Sequence, residues 1–322
     1  MSFKKIEEFV NQHHMITPNT TIILGLSGGP DSLYLLYFLH TMQKKVPFSI
    51  VAAHLDHQWR PNSNQDMLLC KKVCEKLKIT FETTTISALP FNGKEKGSKE
   101  DLARQYRRAF FDQLKKKYNA DVIAIAHTED DQIETFFIRL MRGATVSGLA
   151  AIRPQSENYI RPLLQVTKKE ILNYLKRNRI PYALDPTNTS TQFLRNRIRI
   201  NLIPVLKKID SRAEKNLLKT IDSMQETEVF LKNLAQKALI EISAKKEPER
   251  HIFIEKFLKQ DAYLQRRVLL EWLYEAKVPF NISTGLIEEI LRFMNNKKSN
   301  IHQFDTWFIK KKKNMIYILK TK

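Results

Sequence analysis

The 322-residue chain reads as an α/β protein, a parallel sheet covered by helices on both faces and followed by a mainly α-helical region. Three observations carry that reading. Short apolar, β-branched runs alternate with helical stretches through the first 140 or so residues, the pattern of a buried parallel sheet. A glycine-containing turn, Ser27-Gly-Gly-Pro-Asp-Ser32, joins the first such run to a helix. After about residue 215 the texture changes to long helical stretches.

Taken in order, residues 1–20 mix charge and apolar positions as an amphipathic helix does, without the apolar centre of a secretory signal. Thr21–Leu26 is the first strand, followed by the turn and a helix that starts at Asp31 or Ser32 and runs to Met42. Phe48–Leu55 is a second strand, Asn64–Leu77 a helix, and Ile79–Ile86 a third strand. A polar loop over 87–99 leads to a helix at Lys99–Lys117, a strand at Val122–Ala126 and a helix from Asp130 to Met141. Pro204 and Asp210-Ser-Arg mark a boundary, so the domains are expected at 1–215 and 216–322. The second holds one long helix over Lys215–Ala244, two or three more over 255–296, and a closing β-hairpin around Lys310–Lys313. Ligands of parallel sheets sit beyond the carboxyl ends of the strands, where Ser27, Asp56 and His127 fall.

Bulk composition narrows the classes. No apolar run approaches the roughly 18 residues that cross a bilayer, which excludes a membrane-spanning helix. Two cysteines, Cys70 and Cys74, are too few for a disulfide framework and point to the reducing cytoplasm. Lys and Arg number 54 against 34 Asp and Glu, a net charge of +20, which attracts polyanions. The excess is uneven: residues 151–200 carry ten basic and three acidic side chains, and residues 301–322 carry six and one. That clustering favours a nucleic-acid partner. The arginines Arg195, Arg197 and Arg199 around Asn196 form the densest strip, which would position RNA through its phosphates. Trp59, Tyr106 and Phe193 are candidate stacking platforms for unpaired bases.

The turn after the first strand can hold an anion. Its glycines let backbone amides approach, the helix start adds its positive end, and Ser27 and Ser32 add hydroxyls. Asp31 would repel a phosphate but suits a Mg²⁺ ion bridging to one, or it is simply a helix cap. His127, Asp130, Asp131 and Glu134 gather at another strand end, where they could move protons or hold a cation; N-capping by Asp130 explains the same residues. His54, His57 and His127 lack partners at zinc spacing.

SGGPDS resembles the SGGxDS signature of the PP-loop ATPases, whose fold is Rossmann-like, of the adenine nucleotide alpha hydrolase type. Six further blocks are similar to those of the tRNA(Ile)-lysidine synthetases: His54-Leu-Asp56-His57-Gln-Trp59-Arg60; Glu100-Asp-Leu-Ala103-Arg104-Gln-Tyr-Arg107; His127-Thr-Glu-Asp130-Asp131-Gln132-Ile-Glu134-Thr135; Arg142-Gly143 to Gly148-Leu149; Arg161-Pro-Leu-Leu164; and Asp185 to Asn188 with Arg195-Asn-Arg-Ile-Arg199. They run in order over residues 21–205. Arg108 stands where that family usually has tyrosine.

The resemblance implies an ATP-dependent ligase acting with Mg²⁺. ATP adenylates the C2 carbonyl oxygen of the wobble cytidine of tRNA(Ile) bearing a CAU anticodon, and free L-lysine then displaces AMP. It implies ATP binding by Ser27, Gly28, Gly29, Pro30, Asp31, Ser32, His54, Asp56 and Arg60; catalysis or lysine binding by Asp31, Arg104, His127, Asp130, Asp131 and Glu134; and tRNA binding by Arg142, Arg161, Arg195, Asn196, Arg197 and Arg199. Asp31, with Asp131 as a helper, is the Mg²⁺ candidate. The second domain is expected to dock tRNA, and larger relatives carry one more domain than 322 residues would hold. Rival readings are a PP-loop tRNA cytidine thiolase, a small-molecule PP-loop ligase and a non-catalytic RNA-binding module. A homodimer is left open.

Overall fold

Six strands organise the first of two units into which the chain's contacts divide, Met1–Asp222 and Ser223–Lys322. The structure is a computed structural model, and it describes residues 3–59, 63–89, 99–184, 191–246, 249–278, 282–296 and 298–320. Arg60, Asp185 and Asn188 lie outside the described residues.

In the first unit, α1 (Lys4–Gln12) precedes β1 (Thr21–Gly25), α2 (Pro30–Gln43), β2 (Ser49–Asp56), α3 (Ser63–Leu77), β3 (Thr80–Thr85), α4 (Lys99–Lys117), β4 (Val122–Ala124) and α5 (Glu129–Met141). A short α6 (Val146–Leu149), strands β5 (Gln155–Ser156) and β6 (Tyr159–Ile160), and α7 (Lys168–Arg177) follow. The unit closes through α8 (Leu194–Arg197), a π-helical turn at Ile198–Leu202 and α9 (Ile203–Ile209). The strand order is β3-β2-β1-β4-β6-β5, parallel except for the β5–β6 pair. Strands β1 and β2 are buried on both faces, Ile22, Leu24 and Ala52 against α2 and α3, and Ile23, Val51 and Ala53 against Phe110, Phe111 and Leu114 of α4. That two-sided burial is why the strands read as continuous apolar runs. Beyond β1 the order reverses direction, and the crevice between the carboxyl ends of β1 and β4 is where this architecture places ligands.

Two helix starts differ from the sequence reading. α2 begins at Pro30, not Asp31 or Ser32, because Gly29 is extended (ψ 164°) and Pro30 fits the first helical position. α5 is capped by Thr128 rather than Asp130, since the threonine hydroxyl and Asp131 form a reciprocal capping box.

The second unit takes up α10 (Ala213–Glu241) from Ser223 onward. The helix starts in the first unit because Ile221 packs with Phe136 and Ala151. Strands β7 (Ser243–Lys246) and β8 (Glu249–Phe253), helices α11 (Ile254–Leu258), α12 (Ala262–Glu275) and α13 (Thr284–Asn295), and strands β9 (Ile301–Phe304), β10 (Trp307–Lys312) and β11 (Met315–Lys320) complete it. The expected hairpin is β10–β11, but it is part of an antiparallel five-stranded sheet, β7-β8-β11-β10-β9. The sheet packs on the helices through Ile309, Ile316, Trp272, Leu269 and Ile290. No helix among the described residues is long and apolar enough to cross a membrane.

Candidate active site

Gly28 makes the loop after β1 possible. Its φ of +82° is the left-handed region that side chains avoid, and a Cβ there would meet Cys70 Sγ at 3.3 Å. The turn is held by Ser32 Oγ, which donates to Gly29 O (3.0 Å) and accepts from Ser27 N–H (3.2 Å). Ser27 Oγ lies 3.2 Å from Ser32 Oγ, and Ala183 N–H donates to Gly28 O at 2.9 Å. The loop is therefore pre-shaped, with the start of α2 behind it. A phosphate there would meet backbone amides and the positive helix end without reorganisation.

Asp31, in the first turn of α2, makes no hydrogen bond among the described residues. Burial pushes its carboxyl up to about 6; Lys168 pulls it back, and Asp131 and Asp130 add to the rise. These carboxylates belong to the neighbouring strand end, so the field of the β4–α5 junction reaches the loop on β1. At that junction Asp131 Oδ2 accepts from Thr128 N–H and Oγ–H, each at 2.9 Å, and Asp131 Oδ1 lies 3.4 Å from Arg195 Nη1. Burial alone would raise Asp131, but Lys168, His127, the Thr128 amide and Arg195 bring it below its ordinary value. Asp130 Oδ2 accepts the backbone N–H of Lys168 at 2.8 Å, tying α5 to the start of α7.

Glu134, one turn further along α5, has a fully buried side chain. Arg199 grips it with Nε at 2.6 Å and Nη2 at 3.1 Å, and Arg195 Nε stands 3.7 Å away. Burial still outweighs Arg199 and raises the Glu134 carboxyl. His127 at the end of β4 is pushed by burial to about 4, so its ring is neutral near pH 7, and its Nδ1 is buried without a hydrogen-bond partner among the described residues.

The structure reassigns several residues expected at this site. His54 is buried under the loop, with Nδ1 2.9 Å from Leu26 O and 3.6 Å from Cys70 Sγ, so it supports the loop from beneath. Asp56 closes its own strand end, accepting from Gln58 N–H at 2.8 Å and from Ser63 Oγ at 3.1 Å. Arg195 and Arg199 turn inward to Asp131 and Glu134, and Asn196 is buried, which breaks the expected phosphate-facing strip; a buried carboxylate captures a nearby guanidinium. Arg161 is only 9% exposed and donates to Arg153 O and Ser156 Oγ, each at 2.9 Å. Arg104, Arg142 and Arg197 remain on the surface. Tyr106 is partly buried against the core under the sheet, whereas Trp59 is 54% exposed and stacks on His57 with ring centroids 4.9 Å apart.

Among the described residues no three His, Cys, Asp or Glu side chains converge as a metal cage. A Mg²⁺ held by one or two carboxylates and by phosphate oxygens needs none. Asp31, unengaged and beside the loop, fits that role; Asp131, with both oxygens taken, does not. Lys168 was not singled out from the sequence, yet its charge acts on Asp31, Asp131 and Glu134 together. The signal for its position was present: Thr167-Lys-Lys-Glu170 is a capping box, and it starts α7 opposite Asp130.

A phosphate-gripping loop at a strand–helix junction, with acidic groups at the adjacent strand end, defines a nucleotide-using α/β protein. The chain belongs to the PP-loop domain family, whose model matches residues 2–206, and ATP is the nucleotide of that family. It is 36% identical over 299 residues to the tRNA(Ile)-lysidine synthase of Bacillus thuringiensis subsp. konkukian, covering 90% of this chain and 63% of that protein. It is 34% identical over 303 residues to the enzyme of the same description from Bacillus subtilis, covering 91% and 64%. The chain thus spans just under two thirds of the length of these curated relatives. In fold it is similar to the U34-tRNA thiolase NcsA from Methanococcus maripaludis, with a TM-score of 0.58 at 18% identity over 70% of this chain and 78% of that one.

Proposed function

We propose that this protein is an ATP-dependent ligase of the cytoplasm that joins free L-lysine to C2 of the wobble cytidine in tRNA(Ile) with a CAU anticodon, through an adenylated tRNA. The observation that carries this reading is the adjacency of two strand ends: parallel β1 and β4 lie side by side, so the pre-shaped loop after β1 neighbours the acids that open α5 after β4. One side suits ATP; the other attracts a cation, as the ammonium of lysine requires. The names of the relatives support the same reading.

In the first step the C2 oxygen attacks the α-phosphorus and pyrophosphate leaves. The amides and hydroxyls of Ser27 to Ser32 hold the pyrophosphate end and fix the angle of attack. Mg²⁺, held by Asp31, would neutralise charge building on the phosphates. In the second step the lysine ε-amine, having lost a proton, attacks C2 and AMP departs with the former C2 oxygen. The acids of α5 draw the ammonium in. The neutral His127 ring offers an unprotonated nitrogen beside them, and Trp59 presents an exposed ring face for a base.

The thiolase reading has less support. Cys70 and Cys74 are wholly buried on α3, and burial raises both thiols above their ordinary values, so neither is a ready nucleophile. A single assay tests the proposal: purified protein with ATP, labelled lysine and the tRNA. Label entering RNA only when ATP is present, with AMP released, is expected. RNA left unlabelled, or labelled equally without ATP, contradicts it. Asp31→Ala should abolish AMP formation and leave tRNA binding in place.

A further inference from the structure

The second unit carries a surface that the catalytic chemistry does not use. Along β10 the residues alternate strictly: Trp307 and Ile309 point into the core, and Phe308, Lys310 and Lys312 point away from it. On β11 Ile316 and Ile318 are buried, which turns Met315, Tyr317 and Leu319 outward. Register places the outward residues side by side: Phe308 opposite Leu319, Lys310 opposite Tyr317, Lys312 opposite Met315. On β8 Phe253 lies opposite Met315, and His251 packs its ring 4.2 Å from that of Tyr317. Lys256 reaches over Phe253, its ammonium 5.2 Å from the ring centre.

The outward face thus interleaves aromatic rings (Phe253, Phe308, Tyr317) with ammonium groups (Lys256, Lys310, Lys312). The acidic residues nearest these groups stand at its margins: Glu249 at the first position of β8, paired with Lys246 of β7, Asp305 in the turn at one end and Glu255 at the start of α11. Lys311, the one lysine of the run that turns inward, is used elsewhere. Its Nζ donates to Phe293 O at 2.5 Å and Asn296 O at 2.6 Å, closing the end of α13. The other lysines of the run have no such structural employment among the described residues.

We propose that this sheet face binds the RNA substrate, stacking unpaired bases on its rings and neutralising phosphates with Lys256, Lys310 and Lys312. The inference rests on the reading of the protein as a tRNA-modifying enzyme and gives its second unit a defined contact surface. Ring faces and cations alternating at cross-strand spacing are what a single-stranded or looped nucleic acid needs. A second copy of the chain suits the face poorly, because a two-fold contact would set lysines against lysines.

The test compares the full chain with the double variant Lys310→Glu, Lys312→Glu and the milder pair Lys310→Gln, Lys312→Gln. All four substitutions lie at exposed positions that the core does not use. The probe is the CAU-anticodon tRNA(Ile) transcript, with affinity measured over a range of salt. The glutamate pair should weaken binding at least tenfold and the glutamine pair less. The slope of log affinity against log salt should fall by roughly 1.5 for either pair, as expected for two lost phosphate contacts. The KM for tRNA should rise while ATP binding stays unchanged. Affinity and slope unaltered in both pairs would overturn the proposal, as would a change of oligomeric state in sedimentation with RNA affinity intact. Lost RNA binding in the variants of a protein that makes no lysidine would defeat the functional reading and leave this surface standing.

Discussion

Removing the Arg199 guanidinium should expose how much of the active site's stability depends on one carboxylate. Glu134 has no exposed surface, and Arg199 supplies both of its close contacts, at 2.6 and 3.1 Å. Breaking a buried pair by deleting one partner costs about 3–5 kcal/mol. The low end applies here, because the Arg199 side chain is 29% exposed and Arg195 remains 3.7 Å from Glu134. At about 2–4 °C per kcal/mol for a unit of this size, Arg199→Ala should lower the melting temperature by roughly 6–12 °C near pH 7. The loss should depend on pH in a defined direction. The Glu134 carboxyl is raised in the folded protein, and losing Arg199 raises it further. Below the ordinary glutamate range the group is protonated in folded and unfolded chains alike, so the variant approaches the parent. As pH climbs through that range the unfolded chain ionises first, and the penalty grows to its full size. Thermal melts from pH 4 to 8 read this directly. Glu134→Gln in the Arg199→Ala background should recover much of the loss. A deficit independent of pH, or one untouched by Glu134→Gln, would refute the reasoning.

Other outcomes follow from the same geometry. Gly28→Ala places a side chain in the left-handed region against Cys70 Sγ; it should cost about 1–2 kcal/mol in a melt and raise the KM for ATP, and an unchanged KM would argue against a loop pre-shaped for phosphate. Thr128→Ala removes the α5 cap and should cost about 1 kcal/mol, read by denaturant titration, with Thr128→Ser restoring it. Asp31, with its carboxyl at about 6, gains its proton as pH falls through that value, so affinity for ATP with Mg²⁺ should drop below pH 6 and that dependence should vanish in Asp31→Asn. Calorimetric titration with ATP in the presence and absence of Mg²⁺, across that pH range, checks it.

The strands and helices of the first unit were legible because burial on both faces writes β1, β2 and β4 as plain apolar runs, and because Gly28 has a backbone reason to be glycine. Short β5 and β6 escaped notice, since two-residue strands leave no periodicity to read. The ATP loop and the acids of α5 were likewise visible as residue types at strand ends. Their partners were not. That Arg199 would turn to Glu134, and Lys168 to the carboxylates of α2 and α5, depends on α7 and α8 packing back across more than thirty positions of chain, which local spacing does not encode. The basic block therefore read as one RNA-facing strip when it is divided: Arg195 and Arg199 serve the site, Arg161 is buried, and Arg142 and Arg197 stay in solvent. In the second unit the hairpin was plain from alternation, but its place in a five-stranded sheet was not, because β7 and β8 are polar enough to pass as loop.

The most direct measurement of the central claim is the nucleoside left at the wobble position. After incubation of the CAU-anticodon tRNA(Ile) with the protein, ATP and lysine, nuclease digestion and mass spectrometry should find cytidine replaced by a product of the mass of cytidine plus lysine less one water. With the C2 oxygen labelled beforehand, the label should leave in AMP. Unmodified cytidine at that position, or a sulfur-substituted one, would contradict the account.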